Sequence, residues 1–161
     1  MTTVLLVAAA DPPRDVLAAA LAEFAAAGAD VDLALARDRK GTVTGLPLRS
    51  IHVLRRPAGR LRAGLPAAAL RPGWWRRAAR TGASLAVTRR GDLALRTWFA
   101  ARWDPWVGQE LRRADVLVAL DRHAVYTVWR LARRVPGAAA VHGLDAGVRA
   151  VRARAPQPAV R

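Results

Sequence analysis

The stretch RRADVLVALDRHAVYTVWRLARR, Arg112 to Arg134, decides the fold. Asp115 to Leu120 is an apolar run headed by one acid, the pattern of a strand covered on both faces. From about His123 the period changes. Ala124, Val128, Leu131 and Val135 fall on one helical stripe, while Arg130, Arg133 and Arg134 fall off it. Pro136-Gly137 breaks that helix. A buried strand running directly into an amphipathic helix belongs to an α/β fold with a parallel sheet. In such sheets ligands bind beyond the carboxyl ends of the strands, so Asp121, Arg122 and His123 stand where function belongs.

The same alternation extends in both directions. Upstream, Thr3 to Ala9 reads as a first strand. Asp11 reads as a helix N-cap with Pro12 at the first helical position, and Leu17, Leu21 and Phe24 as the buried stripe. Gly28 ends this helix, Asp30 to Ala36 is a second strand, and Ser50 to Leu54 is a third. Proline and glycine turns then lead to helical stretches near Trp74–Arg90 and Asp92–Arg102, after which Asp104 caps a short helix beginning at Pro105. Downstream, Ala138 to His142 is a fifth strand and Asp145 to about Arg154 a last helix. Residues 155–161 read as a disordered tail. The expectation is a single domain over residues 1–154. It is an α/β, Rossmann-like, doubly wound fold, with a mainly parallel sheet of about five strands and a helical insertion between strands three and four. In the usual order, 3-2-1-4-5, strands one and four are neighbours and Asp11 faces Asp121 across the crevice.

With 161 residues the chain is long enough to bury a core without staples. It has no cysteine, which excludes disulfide scaffolds, cysteine-ligated metals and thiol catalysis. The opening apolar run lacks a basic leader and reads as a strand rather than a signal peptide, and no run approaches the ~20 apolar residues of a spanning helix. The expectation is a cytoplasmic protein, free or attached to a membrane surface. The net charge is +15, and every basic residue except Lys40 is arginine. Between Asp38 and Asp92 stand thirteen Arg or Lys and no acid. Such a block either keeps the surface solvated or attracts phosphate, acidic lipid or nucleic acid.

The loop after strand one, AAADPPRD, lacks the glycines that let bare amides approach a pyrophosphate. Pro12 and Pro13 also remove two amide donors, and Asp11 adds a negative charge. NAD, FAD and P-loop nucleotide binding are therefore rejected, and no cofactor is expected. Asp121 and His123 have two readings. In one, Asp121 caps the helix and His123 faces water. In the other, either side chain touches a substrate hydroxyl while Arg122 steadies an anion. His142-Gly143 closes strand five, where glycine permits a tight turn or close approach to a ligand. The histidines (His52, His123 and His142) show no zinc-ligand spacing, so no metal is expected.

Five of the six tryptophans lie between Trp74 and Trp106. Trp74 and Trp75 precede Arg76, Arg77 and Arg80, a pattern suited to an anionic membrane surface and less to nucleic acid. The alternative is that Trp75, Ala79, Gly82 and Ala86 pack on the sheet.

Taken together, VLLVAAADPPRDVLAAALAEFAAAGADVDLALA, RADVLVALDRHAVYTVWRLA and AAAVHGL resemble the N-terminal domain of GT-B glycosyltransferases, family 4 in particular. The resemblance implies an acceptor-side domain, with His142 matched to the family's strand-end histidine. It implies a catalytic role for His142, to which the strand-end positions add Asp121 and His123 as catalytic candidates and Asp11, Arg122 and Gly143 as substrate contacts. The family's first-loop Gly-Gly is replaced here by Asp11-Pro12-Pro13, and its donor-nucleotide domain has no counterpart in this sequence. The implied activity then needs a donor-domain partner chain. The alternative is a non-enzymatic basic module that docks on anionic membrane through its Arg/Trp-rich segment.

Overall fold

The computed structural model describes residues 1–37, 41, 43–54 and 93–154. The segment around Trp74–Arg90 and the tail 155–161 lie outside the described residues. Ten elements follow in chain order: β1 (Thr2–Ala8), α1 (Arg14–Ala26), β2 (Ala29–Leu35), β3 (Ser50–Val53), α2 (Leu93–Arg102), α3 (Pro105–Leu111), β4 (Val116–Ala119), α4 (Arg122–Ala132), β5 (Ala139–His142) and α5 (Leu144–Arg154). The strands form one sheet, ordered β3-β2-β1-β4-β5, with every pairing parallel. This is a Rossmann-like α/β arrangement, and strands one and four are neighbours as expected.

β1 and β4 are apolar runs because both of their faces are covered. Val4 to Ala8 and Val116 to Val118 are fully buried. Val4, Leu6, Val116 and Val118 point to one side, where Leu17, Leu21 and Phe24 of α1 meet Val148 and Val151 of α5. Leu5, Val7, Leu117 and Ala119 point to the other, against Trp98 of α2, Val107 and Leu111 of α3, and Ala124, Val128 and Leu131 of α4. Full burial of each such Leu or Phe contributes about 1.5–3 kcal/mol relative to exposure.

Two helix starts show how proline chemistry sets boundaries. Asp104 caps α3 as expected, its Oδ1 accepting the amides of Trp106 (3.0 Å) and Val107 (3.4 Å), with Pro105 first in the helix. Asp11 does not cap α1. The N-cap is Pro13 (φ −59°, ψ 130°), and the first helical bond runs from the Leu17 amide to the Pro13 carbonyl at 3.0 Å. Pro13 sterically disfavours the helical conformation at Pro12, so the helix cannot begin there. At the other end Gly28 takes φ +69° just beyond the Ala27 cap, the left-handed conformation that suits glycine.

Candidate functional site

The carboxyl ends of β1, β4 and β5 lie side by side, and they carry Asp11, Asp121 and His142 respectively. Asp121 holds this edge together. Its Oδ2 accepts the amides of Ala9 (2.7 Å) and Ala10 (3.2 Å) in the loop after β1. Its Oδ1 accepts those of His123 (2.8 Å) and Ala124 (3.0 Å) in the first turn of α4. A carboxylate has about four lone-pair sites, so both oxygens are filled. The positive end of the α4 dipole favours the charge. Asp121 thus takes the capping role and also fastens one loop to the next. The amides of Ala9 and Ala10, which a phosphate would need, are already engaged.

Asp11 is different. Its Oδ1 is buried and has no hydrogen-bond donor among the described residues. A buried acceptor without a donor costs on the order of 1–3 kcal/mol. At the start of α4 the exposed Arg122 donates from Nε to His123 Nε2 at 3.2 Å. His142 ends β5 with its side chain exposed, and Gly143 follows at φ +87°. The Gly143 amide donates to the Ala119 carbonyl at 2.9 Å, so the turn out of β5 is tied to β4. Any other residue at 143 would be strained in this conformation.

The register also separates residues. His52, Ala34, Val7, Ala119 and His142 form one transverse row across all five strands. Four strand spacings of ~4.8 Å put the two histidines ~19 Å apart, at opposite edges of the sheet. They cannot serve one reacting atom.

A polar cluster under the β2–β3 edge was not visible as a motif. Asp32, in the middle of β2, is fully buried. Arg49 grips it with Nε on Oδ1 (2.9 Å) and Nη2 on Oδ2, and the Ser50 hydroxyl donates to Oδ1 at 2.6 Å. Arg49 Nη2 also reaches Glu110 Oε2 of α3 at 2.6 Å. The hydrogen bond to Asp32 raises the Arg49 pKa above its ordinary value, against the opposing pull of desolvation. Arg49 therefore keeps its charge throughout the neutral range, and its side of the pair is lost only in strong base. Nearby, His52 Nε2 lies 2.9 Å from Asp104 Oδ2, and its ring stacks on Trp106 with centroids 4.8 Å apart and planes 17° off parallel. The signal in the sequence was a carboxylate inside a strand covered on both faces. Such a charge requires a cation, but nothing local says which one.

Among the described residues no cluster of His, Asp or Glu suits a metal ion. Trp74, Trp75, Arg76, Arg77 and Arg80 lie outside the described residues. No described helix is long and apolar enough to cross a membrane. No protein-family model matches the chain, and no curated protein or solved structure was found to be similar to it.

Proposed function

We propose that this chain is a glycosyltransferase-like, acceptor-side domain that binds a hydroxylated acceptor at the carboxyl edge of the sheet. In this reading a partner chain supplies the nucleotide-sugar donor. The observation that carries it is the buried Asp11 Oδ1, which has no donor among the described residues and is suited to a ligand hydroxyl. Two further features support it. Asp121 occupies the amides of Ala9 and Ala10, so the loop offers little to a donor's pyrophosphate. His142 and Gly143 stand at the end of a neighbouring strand, where the resembling family keeps its strand-end histidine.

The roles divide accordingly. Asp11 accepts a substrate hydroxyl, and Arg122 and His123 line the approach. Asp121 is the positioning residue that keeps the loops in register. His142 meets the acceptor only when a donor domain completes the site.

The test is a titration of the isolated chain, followed by amide NMR, with neutral oligosaccharides and with nucleotide sugars. The expected result is weak saccharide binding whose shifts centre on residues 9–11 and 121–123 and vanish in Asp11→Ala. Micromolar binding of a nucleotide sugar by the chain alone, or no saccharide response at that edge, overturns the reading.

A further inference from the structure

The outer side of α2 and α4 is built from arginine and aromatic rings, with no acid among them. α2 packs lengthwise against α4 to form a two-helix layer. Along α4, Tyr126, Trp129, Arg130 and Arg133 follow one another at helical spacing. Arg130 lies over the rings of Trp98 (5.4 Å), Tyr126 (5.9 Å) and Trp129 (5.9 Å), and Arg133 lies over Trp129 at 5.1 Å. From α2, Arg102 lies 4.9 Å over Trp103, and beyond α4 Arg134 lies 5.1 Å over Trp98.

None of these four arginines pairs with a carboxylate among the described residues. The crowding has a cost. Burial, and then the charges of Arg102 and Arg130, lower the pKa of Arg134 below its ordinary value. The fold therefore bears unfavourable like charge at neutral pH that an anion would relieve. Trp98 is buried beneath this layer, but two other indoles are held outward: Trp103 is 59% exposed and Trp129 49%, and Val125 of α4 is 39% exposed.

We infer that this face docks on the phosphate-rich surface of an anionic phospholipid bilayer. Trp103 and Trp129 enter the headgroup level, and Arg130 and Arg133 hold lipid phosphates. Charge complementarity selects an anion, and exposed indoles on an arginine-rich helical layer select an interface. Single-stranded nucleic acid fits less well. Its binding sites are grooves that offer free ring faces to bases, and here guanidinium groups lie over the rings. The inference uses neither Asp11 nor His142, so it stands apart from the acceptor reading.

The full chain is tested by co-sedimentation with phosphatidylcholine vesicles and with mixed phosphatidylcholine–phosphatidylglycerol vesicles. The expected result is binding to the mixed vesicles alone. Arg130→Gln with Arg133→Gln should weaken it on the order of 30-fold, at about fivefold per arginine. Arg149→Gln with Arg152→Gln removes the same charge from α5, on the opposite side of the sheet, and should leave binding nearly unchanged. Trp129→Ala, which keeps every charge, should weaken binding and diminish the blue shift of tryptophan emission. Far-ultraviolet circular dichroism checks that each variant is folded. Equal losses from the two arginine pairs would reduce the effect to net charge and overturn the inference. So would equal binding to both vesicle types. Preference for a single-stranded oligonucleotide over vesicles, abolished by the α4 pair, would assign the face to nucleic acid instead.

Discussion

The two sides of the sheet are built on opposite terms. The side under α1 and α5 is a plain apolar cluster in which Phe24, Leu17 and Leu21 meet β1, β2 and β4. The side under α2, α3 and α4 holds all five of the buried polar residues among the described residues: Asp32, Thr97, Asp104, Glu110 and Thr127. One side is satisfied by volume alone. The other must match donors to acceptors, and that requirement ties β2 and β3 to α3 through Arg49, His52 and their acids. Substitutions on the two sides should therefore hurt for different reasons.

Arg49→Met should produce the largest effect. It leaves the fully buried Asp32 without its cation, and loss of one partner of a buried pair typically costs 3–5 kcal/mol. Arg49 is itself about one third exposed, so the lower end, about 3 kcal/mol, is expected in urea denaturation. Adding Asp32→Leu should restore most of the loss. If the double variant is no better than the single, the charge is not what makes this side demanding.

Gly147→Ala probes the apolar side. Helix propensity alone would favour alanine by about 1 kcal/mol. A Cβ at Gly147 would stand 2.9 Å from Phe24 Cζ and 2.9 Å from Val118 Cγ2. Overpacking should therefore win, with a net loss of about 1–2 kcal/mol. Phe24→Leu in the same background should reduce that loss through coupling. A simple gain from Gly147→Ala would mean that α5 can lift off the sheet without cost.

The smallest effect should have the opposite sign. Thr97 and Thr127 are both buried mid-helix threonines, but only Thr97 returns its hydroxyl to a carbonyl, that of Leu93 at 2.8 Å. Thr127 Oγ1 has no partner among the described residues. Thr127→Val should stabilise the protein by about 1 kcal/mol in thermal unfolding, whereas Thr97→Val should not. Loss of stability at 127 would reveal a partner for that hydroxyl.

Much of this architecture is legible in the sequence, because strands covered on both faces and helices with one apolar stripe leave different periods. Val4 to Ala8, Val116 to Ala119, and the stripe of Leu17, Leu21 and Phe24 announce themselves locally. So does the Asp104-Pro105 cap. The same rule failed at Asp11-Pro12, because it attends to one proline and not to the next. The polar cluster escaped for a different reason. Asp104 and His52 are 52 positions apart, and Arg49 and Glu110 are 61 apart. Pairing at that distance depends on the sheet order, and no spacing encodes it. At the carboxyl edge, sequence reasoning located Asp11, Asp121 and His142. It could not choose between the two roles it offered for Asp121, since the amides of Ala9 and Ala10 lie more than a hundred positions away.

Helix α4 starts where Asp121 clamps the loop after β1, and its outward flank bears Tyr126, Trp129 and Arg130. It therefore works as a ruler. Eight residues at ~1.5 Å each set Trp129 ~12 Å along its axis from the clamp. A protein lying flat on that flank would hold the mouth of its sheet at a fixed lateral distance from the point where Trp129 touches down.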